Sequence, residues 1–434
     1  MRISVIGCGY LGAVHAACMA ELGHEVVGID VDQHKVDELS AGRAPFFEPG
    51  LPEVLTRALE SGRLRFSTDL ADAAGAEVHF VAVGTPQTKG SHAADLTYVD
   101  AAVRGLLPHL ADGDLVVGKS TVPVGTASRL GELVRASSGA DLAWNPEFLR
   151  EGFAVKDTIT PDRFVYGVPA GEAGERATAQ LDAIYATALE AGTPRLVTDY
   201  ATAELVKVSA NAFLATKISF INAMAEIAEA TGADVTQLAD AIGHDARIGR
   251  RFLNAGIGFG GGCLPKDIRA FQARADELGL DSLAFLSDVD AINLRRRDRV
   301  VALAEELVGD VSGARVAVLG LAFKPDSDDV RDSPALDVAR RLHGRGASVV
   351  AFDPEANGTA GRVAPELEYA ADVESALRGA DVVLVLTEWK QFRELEPAAV
   401  AGLVSHARVV DGRNTLDAAA YRAAGFEYRG LGRP

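Results

Sequence analysis

One glycine-rich segment carries the residues of this sequence that are best suited to covalent chemistry. Five glycines occur within residues 256–262, and Cys263 follows them directly. Pro265 suits the first turn of a helix, so the thiol would stand at a helix N-terminus beside Lys266. The helix N-terminus and the Lys266 ammonium would both lower the pKa of the thiol, and the resulting thiolate attacks carbonyl carbons. The segment predicts a nucleophilic Cys263 with Asp267 one helical turn further on, and the alternative is a buried structural cysteine.

Two further pairs of polar residues have helical spacing. Lys207 and Asn211 are four residues apart, and their ammonium and amide groups could donate to a developing alkoxide. Glu147 and Glu151 are also four apart, after an Asn-Pro sequence that is typical of a helix start. The alternatives are a solvated helix face for the first pair and acids that favour a helix dipole for the second.

The N-terminal residues form a dinucleotide-binding pattern. Gly7, Gly9 and Gly12 make a G-x-G-x-x-G sequence between an apolar run and a helical stretch. Asp30 ends the next apolar run, where its carboxylate would accept from ribose hydroxyls and repel a 2′-phosphate. The pattern predicts NAD rather than NADP as the cofactor, and the alternative is a glycine turn that has lost its ligand.

The elements that must position these residues alternate along the chain. Apolar runs separated by helical stretches predict parallel sheets in the first 150 residues and again after Gly313. A long helix is predicted at about 198–230 between them. The fold class is therefore α/β, with an N-terminal α/β region 1–197, a central helical region 198–300 that carries the cysteine loop, and a C-terminal α/β region 301–434. The predicted strands are Ile3–Ile6, Val26–Ile29, Val78–Val83, Leu115–Val117, Leu142–Trp144, Arg315–Leu319, Ser348–Phe352, Asp381–Leu386 and Arg408–Val410.

Composition narrows the class of protein. The chain has 434 residues and a net charge of −18, so a binder of nucleic-acid polymers or anionic membranes is not expected. No apolar run is long enough to span a bilayer, and the first residues read as a strand rather than a signal peptide. Three cysteines cannot make a disulfide framework. We expect a cytoplasmic, reduced protein, and no metal site is predicted.

The order of the motifs resembles that of the UDP-glucose/GDP-mannose dehydrogenase family over nearly the whole chain. The segments that carry the resemblance are Gly7–Gly12, Glu48–Leu51, Val83–Pro86, Ser120–Gly125, Asn145–Gly152, Ala203–Lys207 with Asn211, Gly258–Asp267, Gly320–Pro325 and Asp329–Arg331. The resemblance implies two Rossmann-like, doubly wound domains joined by a long central helix, the first binding NAD and the second the nucleotide sugar. It also implies a homodimer built on that helix, with a higher oligomer left open.

The reaction implied by the resemblance is a four-electron oxidation of the C6 alcohol of a nucleotide sugar, with two NAD⁺ and a thioester on the cysteine. UDP-glucose, oxidised to UDP-glucuronate for polysaccharide synthesis, is the default substrate. GDP-mannose, TDP-glucose and the UDP-N-acetylhexosamines remain open. A two-electron hydroxyacid or sugar dehydrogenase is an alternative that would not need Cys263. A non-catalytic nucleotide sensor is a third alternative.

The resemblance assigns roles residue by residue. The catalytic residues are Cys263, Lys207, Asn211, Asp267, Glu151 and Thr121. The residues assigned to NAD are Gly7, Gly9, Tyr10, Leu11, Gly12, Asp30, Lys35, Thr85, Thr121, Glu151, Lys266 and Arg331. Those assigned to the nucleotide sugar are Glu147, Phe148, Leu149, Arg150, Glu151, Lys207, Asn211, Arg247, Phe252, Leu253, Asn254, Ala255, Gly256, Gly260 and Lys324, with Arg247 reaching the site of a partner subunit. Gly262, Leu264 and Ala223 depart from the residues frequent in the family.

Overall fold

The computed structural model describes all residues from Met1 to Pro434. The chain forms two compact units, residues 1–210 with 270–280 and residues 211–269 with 281–434. The strands are β1 (Arg2–Ile6), β2 (Glu25–Ile29), β3 (Leu64–Ser67), β4 (Val78–Val81), β5 (Leu115–Gly118), β6 (Asp141–Trp144), β7 (Phe164–Gly167), β8 (Arg195–Thr198), β9 (Arg315–Leu319), β10 (Ser348–Phe352), β11 (Glu368–Tyr369), β12 (Val382–Val385), β13 (Arg408–Asp411) and β14 (Glu427–Gly430).

Eighteen α-helices connect or cover these strands. They are α1 (Tyr10–Glu21), α2 (Gln33–Ser40), α3 (Leu51–Glu60), α4 (Thr97–Leu106), α5 (Thr126–Ser138), α6 (Ala154–Ile159), α7 (Glu172–Ile184), α8 (Ala186–Glu190), α9 (Tyr200–Thr231), α10 (Val235–Gly243), α11 (Leu264–Glu277), α12 (Phe285–Val308), α13 (Pro334–Gly344), α14 (Asn357–Val363), α15 (Val373–Leu377), α16 (Lys390–Arg393), α17 (Pro397–Leu403) and α18 (Ala418–Ala423). None of them combines the length and the apolarity that a bilayer span requires.

The first unit contains an eight-stranded sheet in the order β3-β2-β1-β4-β5-β6-β7-β8. Its pairs are parallel except for the single pairing of β6 with β7. Alternating side chains feed two cores, because Ile3 and Val5 face one core while Ile6 faces the other. The chain order reverses between β1 and β4, which is where open parallel sheets bind ligands at the carboxyl ends of their strands.

The second unit repeats this design in a smaller sheet. Its six strands are all parallel, in the order β11-β10-β9-β12-β13-β14. Counted within each sheet, both units therefore have the Rossmann order 3-2-1-4-5-6. Val316 and Val318 face one core of the second unit, and Ala317 and Leu319 face the other. The predicted α/β class with two Rossmann-like domains is confirmed.

The helix predicted at about 198–230 is confirmed as α9, which has 32 residues. A second long helix, α12, has 24 residues; it lies mostly within the predicted helical region 198–300 but was not predicted as a separate element. All nine predicted strands are present, with ends that differ by at most two residues. The three-region division of the chain stays a prediction.

Candidate active site

The glycine turn after β1 has the geometry that the fingerprint predicts. Gly7 has a φ of +90°, and a Cβ at Gly12 would lie 1.8 Å from the Gly7 carbonyl oxygen, so only glycine permits this approach of helix to strand. A Cβ on Gly9 would meet nothing within 4 Å. Gly9 caps α1 without a side-chain hydrogen bond, so the first N–H groups of α1 can donate to a pyrophosphate. The turn fits NAD.

Asp30, directly after β2, is held beside this turn. Its Oδ2 accepts from the backbone N–H of Cys8 and from Lys35 Nζ, both at 2.8 Å. The side chain is 7% exposed. The carboxylate therefore stands where the fingerprint predicts a ribose contact, and its charge disfavours a 2′-phosphate. Lys35, also predicted to contact NAD, lies against Asp30.

Glu48 joins the glycine turn to the loop after β6. It is buried, accepts from the Tyr10 hydroxyl, and also accepts from the N–H groups of Gly152 at 2.6 Å and Ala154 at 2.7 Å. Burial raises the pKa of the Tyr10 phenol, and so do Glu48 and the nearby carboxylate of Glu151. The phenol therefore stays a donor, and Glu151 lies close to the turn predicted for NAD.

The prediction that a helix begins at Asn145 is wrong. Residues 145–150 are irregular, and α6 begins only at Ala154. Asn145 cannot cap a helix because its Oδ1 accepts from Lys119 Nζ at 2.9 Å and from the Tyr185 hydroxyl at 2.8 Å, while its Nδ2 donates to a carbonyl of β7. Glu147 and Glu151 consequently do not share a helix face.

Glu147 instead pairs with Lys207. The Lys207 Nζ lies 3.0 Å from Glu147 Oε1 and 5.6 Å from the centroid of the Phe148 ring. The Glu147 Oε2 accepts from the N–H of Leu149 at 2.7 Å, which folds the loop over its own carboxylate. Arg150 is drawn away to Asp157, with contacts of 2.7–2.9 Å. Lys207 is 6% exposed, so its helix face is not solvated.

Loops after β4 and β5 place the predicted threonines together. The Thr85 hydroxyl donates to the Thr121 carbonyl oxygen at 2.8 Å. Glu204 on α9 fixes the end of the second loop, because its carboxylate accepts from the N–H groups of Gly125 at 2.8 Å and Ala127 at 2.7 Å, at the start of α5. Burial raises the pKa of Glu204, and these N–H bonds oppose the rise.

In the second unit, Cys263 stands immediately before α11, as predicted. Its side chain is exposed, and its carbonyl oxygen accepts the first helical hydrogen bond, from the Asp267 N–H at 2.9 Å. Asp267 is 2% exposed and accepts from Asn211 Nδ2 at 2.7 Å and from Lys266 Nζ at 2.6 Å. The structure therefore brings together the amide and the carboxylate for which roles in proton handling are predicted.

The glycines before Cys263 face protein of their own unit. A Cβ at Gly258 would lie 2.4 Å from Asn293 Oδ1, and one at Gly260 would lie 2.4 Å from the Asp332 carbonyl oxygen. A Cβ at Gly262 would approach the Arg331 guanidinium carbon to 2.4 Å. Close packing therefore requires glycine at 258 and 260, whereas the Arg331 side chain could move away from a larger residue at 262. The predicted approach of a ligand to this backbone stays a prediction.

The other residues predicted to contact ligands in the second unit lie on loops. Arg247 is exposed and bonded to Asp245, and Arg331 is bonded to Asp329. Lys324 lies above the Phe323 ring, after β9 at the point where the strand order of the second sheet reverses. In the segment 252–256, Phe252 is exposed with a φ of +66°, and Leu253 and Ala255 belong to a small core. The Asn254 side chain accepts from Arg250, and the Gly256 N–H donates to Asn222.

Sequence reasoning missed the buried polar residues that hold these loops. They are Glu48, Lys119, Glu204, Asn222 and Asn293. Arg413, whose side chain is 14% exposed, makes similar contacts. Two of them, Glu48 and Glu204, stand inside segments that carry the family resemblance, which was a usable signal. Asn293 lies within the predicted helical region 198–300, but no motif surrounds it, so its sequence context gave no signal.

Comparisons with known proteins cover the chain from end to end. Residues 1–189, 201–295 and 317–418 match, in turn, the NAD-binding, central and UDP-binding domains described for one dehydrogenase family. The chain is 42% identical to the UDP-glucose 6-dehydrogenase TuaD of Bacillus subtilis, with 100% of the chain and 93% of that protein covered. It is 40% identical to the UDP-glucose 6-dehydrogenase of Rhizobium meliloti, with 100% of both covered.

A solved structure agrees with these matches. The UDP-glucose dehydrogenase of the archaeon Pyrobaculum islandicum superposes with a TM-score of 0.91 at 41% sequence identity. The match covers 100% of this chain and 98% of that one.

Proposed function

The chain belongs to the UDP-glucose/GDP-mannose dehydrogenase family, and we propose that it oxidises UDP-glucose to UDP-glucuronate with two NAD⁺ and one water. The observation that carries the proposal is Cys263, exposed at the start of α11 one turn before an Asp267 that accepts from Asn211. A dehydrogenase that removes only one hydride has no need of a thiol in this position.

The turn of Gly7, Gly9 and Gly12, together with Asp30, would hold NAD⁺, whose nicotinamide supplies the acceptor for a hydride. The N–H groups at the start of α1 would bind the pyrophosphate, and Asp30 the adenosine ribose. Thr85 and Thr121 belong to loops at the carboxyl ends of β4 and β5, next to the reversal of strand order. This placement supports their assignment to the cofactor.

The first oxidation converts the C6 alcohol to an aldehyde. The hydroxyl loses its proton and the carbon loses a hydride, so negative charge develops on the oxygen. Lys207 and Asn211 are donors one turn apart on α9, and we assign them to that oxygen. Asp267, through a water, receives the proton.

The second oxidation uses the thiol. The Cys263 sulfur adds to the aldehyde carbon while the aldehyde oxygen takes up a proton, which gives a thiohemiacetal. Loss of the hydroxyl proton and of a second hydride, which a second NAD⁺ would accept, leaves a thioester. Water then adds to the thioester carbonyl with a carboxylate as general base, and the C–S bond breaks to release the sugar carboxylate and the thiol. We assign the base to Glu151, with Asp267 as its partner. Covalent capture keeps the aldehyde from escaping.

The segments 147–151 and 252–256, with Gly260 and Lys324, are our assignment for the nucleotide-sugar contacts. The sugar and base assignments rest on relatives about 40% identical, which are named for UDP-glucose. Cytoplasmic location is part of the same proposal, because a reducing compartment keeps a catalytic thiol reactive.

A homodimer through α9 completes the proposal. Phe213, Phe220 and Ile227 recur every seven residues on this helix, and their side chains are 66%, 48% and 58% exposed. Large apolar side chains in such a stripe are typical of a helix that packs against another helix. Arg247 is exposed as well, which supports the proposal that it reaches the nucleotide sugar of a partner subunit.

A substrate panel tests the proposal directly. The purified chain is incubated with NAD⁺ or NADP⁺ and, in separate reactions, with UDP-glucose, TDP-glucose, GDP-mannose and UDP-N-acetylhexosamines, while absorbance of the reduced cofactor is followed. We expect turnover with UDP-glucose and NAD⁺. A preference for another nucleotide sugar would overturn the substrate assignment, and silence with all of them would favour a nucleotide sensor.

A further inference from the structure

Polar side chains on one face of α12 contact residues that precede Cys263 in the sequence and residues that follow it. Asp290, Asn293 and Arg297 are spaced by three and four residues, which places them on the same side of the helix. Asn293 is fully buried and Arg297 is 4% exposed. Buried polar groups on a helix interior are expected to have specific partners, so each contact on this face is informative.

Asn293 binds the backbone of the glycine-rich segment at one residue. Its Oδ1 accepts from the Phe259 N–H at 2.7 Å, and its Nδ2 donates to the Phe259 carbonyl oxygen at 3.0 Å. The side-chain amide thus pairs with Phe259 as a neighbouring strand would. The approach is close enough that Gly258 cannot carry a side chain, because a Cβ there would overlap Asn293 Oδ1.

The same face anchors the chain on the other side of the cysteine. Arg269, six residues after Cys263 on α11, makes two contacts with Asp290, at 2.8 and 3.1 Å. Arg269 and Arg297 both contact Asp332, each at 3.1 Å. Adjacent to Asp332, the carbonyl oxygen of Arg331 accepts from the Gly261 N–H at 2.9 Å. Residues before and after the thiol are therefore bonded to the same helix, α12.

We propose that Asn293 is a positioning residue that fixes the backbone before Cys263 and so sets where the thiol meets the aldehyde. The inference rests on the proposed function, because it concerns capture of an aldehyde by that thiol. The glycines at 260–262 leave this backbone few side-chain contacts of its own, so the amide of Asn293 replaces them. If the anchor is lost, capture of the aldehyde slows relative to its release.

The test compares Asn293→Leu and Asn293→Asp with a matched control. Leucine has a similar volume and removes both hydrogen bonds, whereas aspartate keeps the oxygen that accepts from Phe259. The control is Asn357→Leu, because Asn357 makes the same kind of backbone pair, accepting from the Asp353 N–H and donating to the Ala370 carbonyl oxygen, both at 2.9 Å. Circular dichroism checks that each variant is folded. If Asn293→Leu is unfolded, the comparison is made with Asn293→Asp alone.

Three readouts are taken: kcat, the NADH formed per UDP-glucose with semicarbazide as an aldehyde trap, and the rate at which iodoacetamide alkylates Cys263. For Asn293→Leu we expect kcat to fall about 10- to 100-fold, the effect of misplacing a reacting group by a fraction of an ångström to an ångström. We also expect trapped aldehyde, a stoichiometry below two and an altered alkylation rate, with a smaller effect in Asn293→Asp.

Two outcomes are distinguishable. If the unmutated enzyme does not form two NADH per sugar, the proposed function fails, and the alkylation rates still report whether Asn293 positions the thiol. If the unmutated enzyme forms two NADH while Asn293→Leu matches Asn357→Leu in all three readouts, the positioning role is overturned.

Discussion

At the scale of single residues, the candidate site depends on buried polar side chains that bind backbone or one another. Lys119 is an example, since its ammonium is enclosed by the loop after β6 and donates to Asn145 at 2.9 Å and to Tyr185 at 3.3 Å. Burial lowers its pKa to about 8, and the carboxylate of Glu147 opposes this effect. The loop that carries Glu147 is thus held by a cation whose burial destabilises the fold.

The charge of Lys119 predicts a pH dependence of stability. In the unfolded chain a lysine titrates near pH 10.4, so between about pH 8 and 10.4 the unfolded state binds a proton that the folded state does not. Stability therefore rises with pH in this window, and the destabilisation is fully present below it. Between pH 7 and 9.5, Lys119 should raise the free energy of unfolding of the unmutated protein by about 2 kcal/mol. Lys119→Met should lack this rise.

Urea unfolding at the two pH values measures this difference. Lys390→Met is the control for loss of a lysine, since that side chain is 78% exposed. An identical pH dependence in Lys119→Met and the unmutated protein would show that Lys119 is not buried as a cation.

At the scale of elements, α9 has two separate tasks. Its N-terminal half carries Glu204, Lys207 and Asn211, whose side chains are buried and hydrogen-bonded. Its remaining turns expose the stripe of Phe213, Phe220 and Ile227. A helix that is buried on one side and apolar on an exposed side is typical of a subunit interface.

The dimer proposal predicts that a charge in this stripe separates the subunits. Phe220→Glu should raise the dissociation constant of the dimer about 30-fold or more, the effect of losing a central aromatic contact worth about 2 kcal/mol. Val363→Glu, at an exposed valine on α14, is the control. Sedimentation velocity over a range of concentrations gives the answer, and an unmutated protein that is monomeric throughout would contradict the proposal.

Elements were predictable where one local pattern dominates. The central strands β1, β4 and β9 are largely buried and mostly apolar, so their hydrophobicity identified them. The edge strand β8 has exposed side chains and β14 alternates, and neither was predicted from the sequence. The helix expected at Asn145 failed because tertiary partners took the side chain that should have capped it. The helix α12 was missed although it holds the cysteine segment.

At the scale of the molecule, a chain with a net charge of −18 is proposed to bind two ligands that are themselves negatively charged. The chain has nine lysines against a net charge of −18. Four of them stand in or next to the motif segments: Lys207, Lys266 and Lys324 lie inside segments, and Lys119 directly precedes Ser120–Gly125. Two of those four, Lys119 and Lys207, are buried within the first unit. Lys207 is paired with Glu147 and Lys119 is bonded to Asn145, so both lysines lie beside the loop assigned to the nucleotide sugar. The predicted exclusion of nucleic-acid polymers is compatible with single nucleotides as ligands.

Two sheets with the same strand order explain why the motifs are scattered along the sequence. The glycine turn follows β1 and the Gly320–Pro325 segment follows β9, the first strand of each sheet in the chain. Each segment therefore lies where its sheet reverses strand order, which is where such sheets bind nucleotides. The sequence could predict these two positions, but it could not predict which buried side chains hold Cys263, because those contacts join residues distant in the chain.

The stoichiometry of NADH to UDP-glucose tests the central claim most directly. With limiting UDP-glucose and excess NAD⁺, the unmutated enzyme should form two NADH per sugar and no free aldehyde, because Cys263 retains the intermediate until the second hydride has left. Cys263→Ser should form one NADH or none. One NADH per sugar with accumulating aldehyde in the unmutated enzyme, or two NADH in Cys263→Ser, would contradict a four-electron oxidation through a thioester.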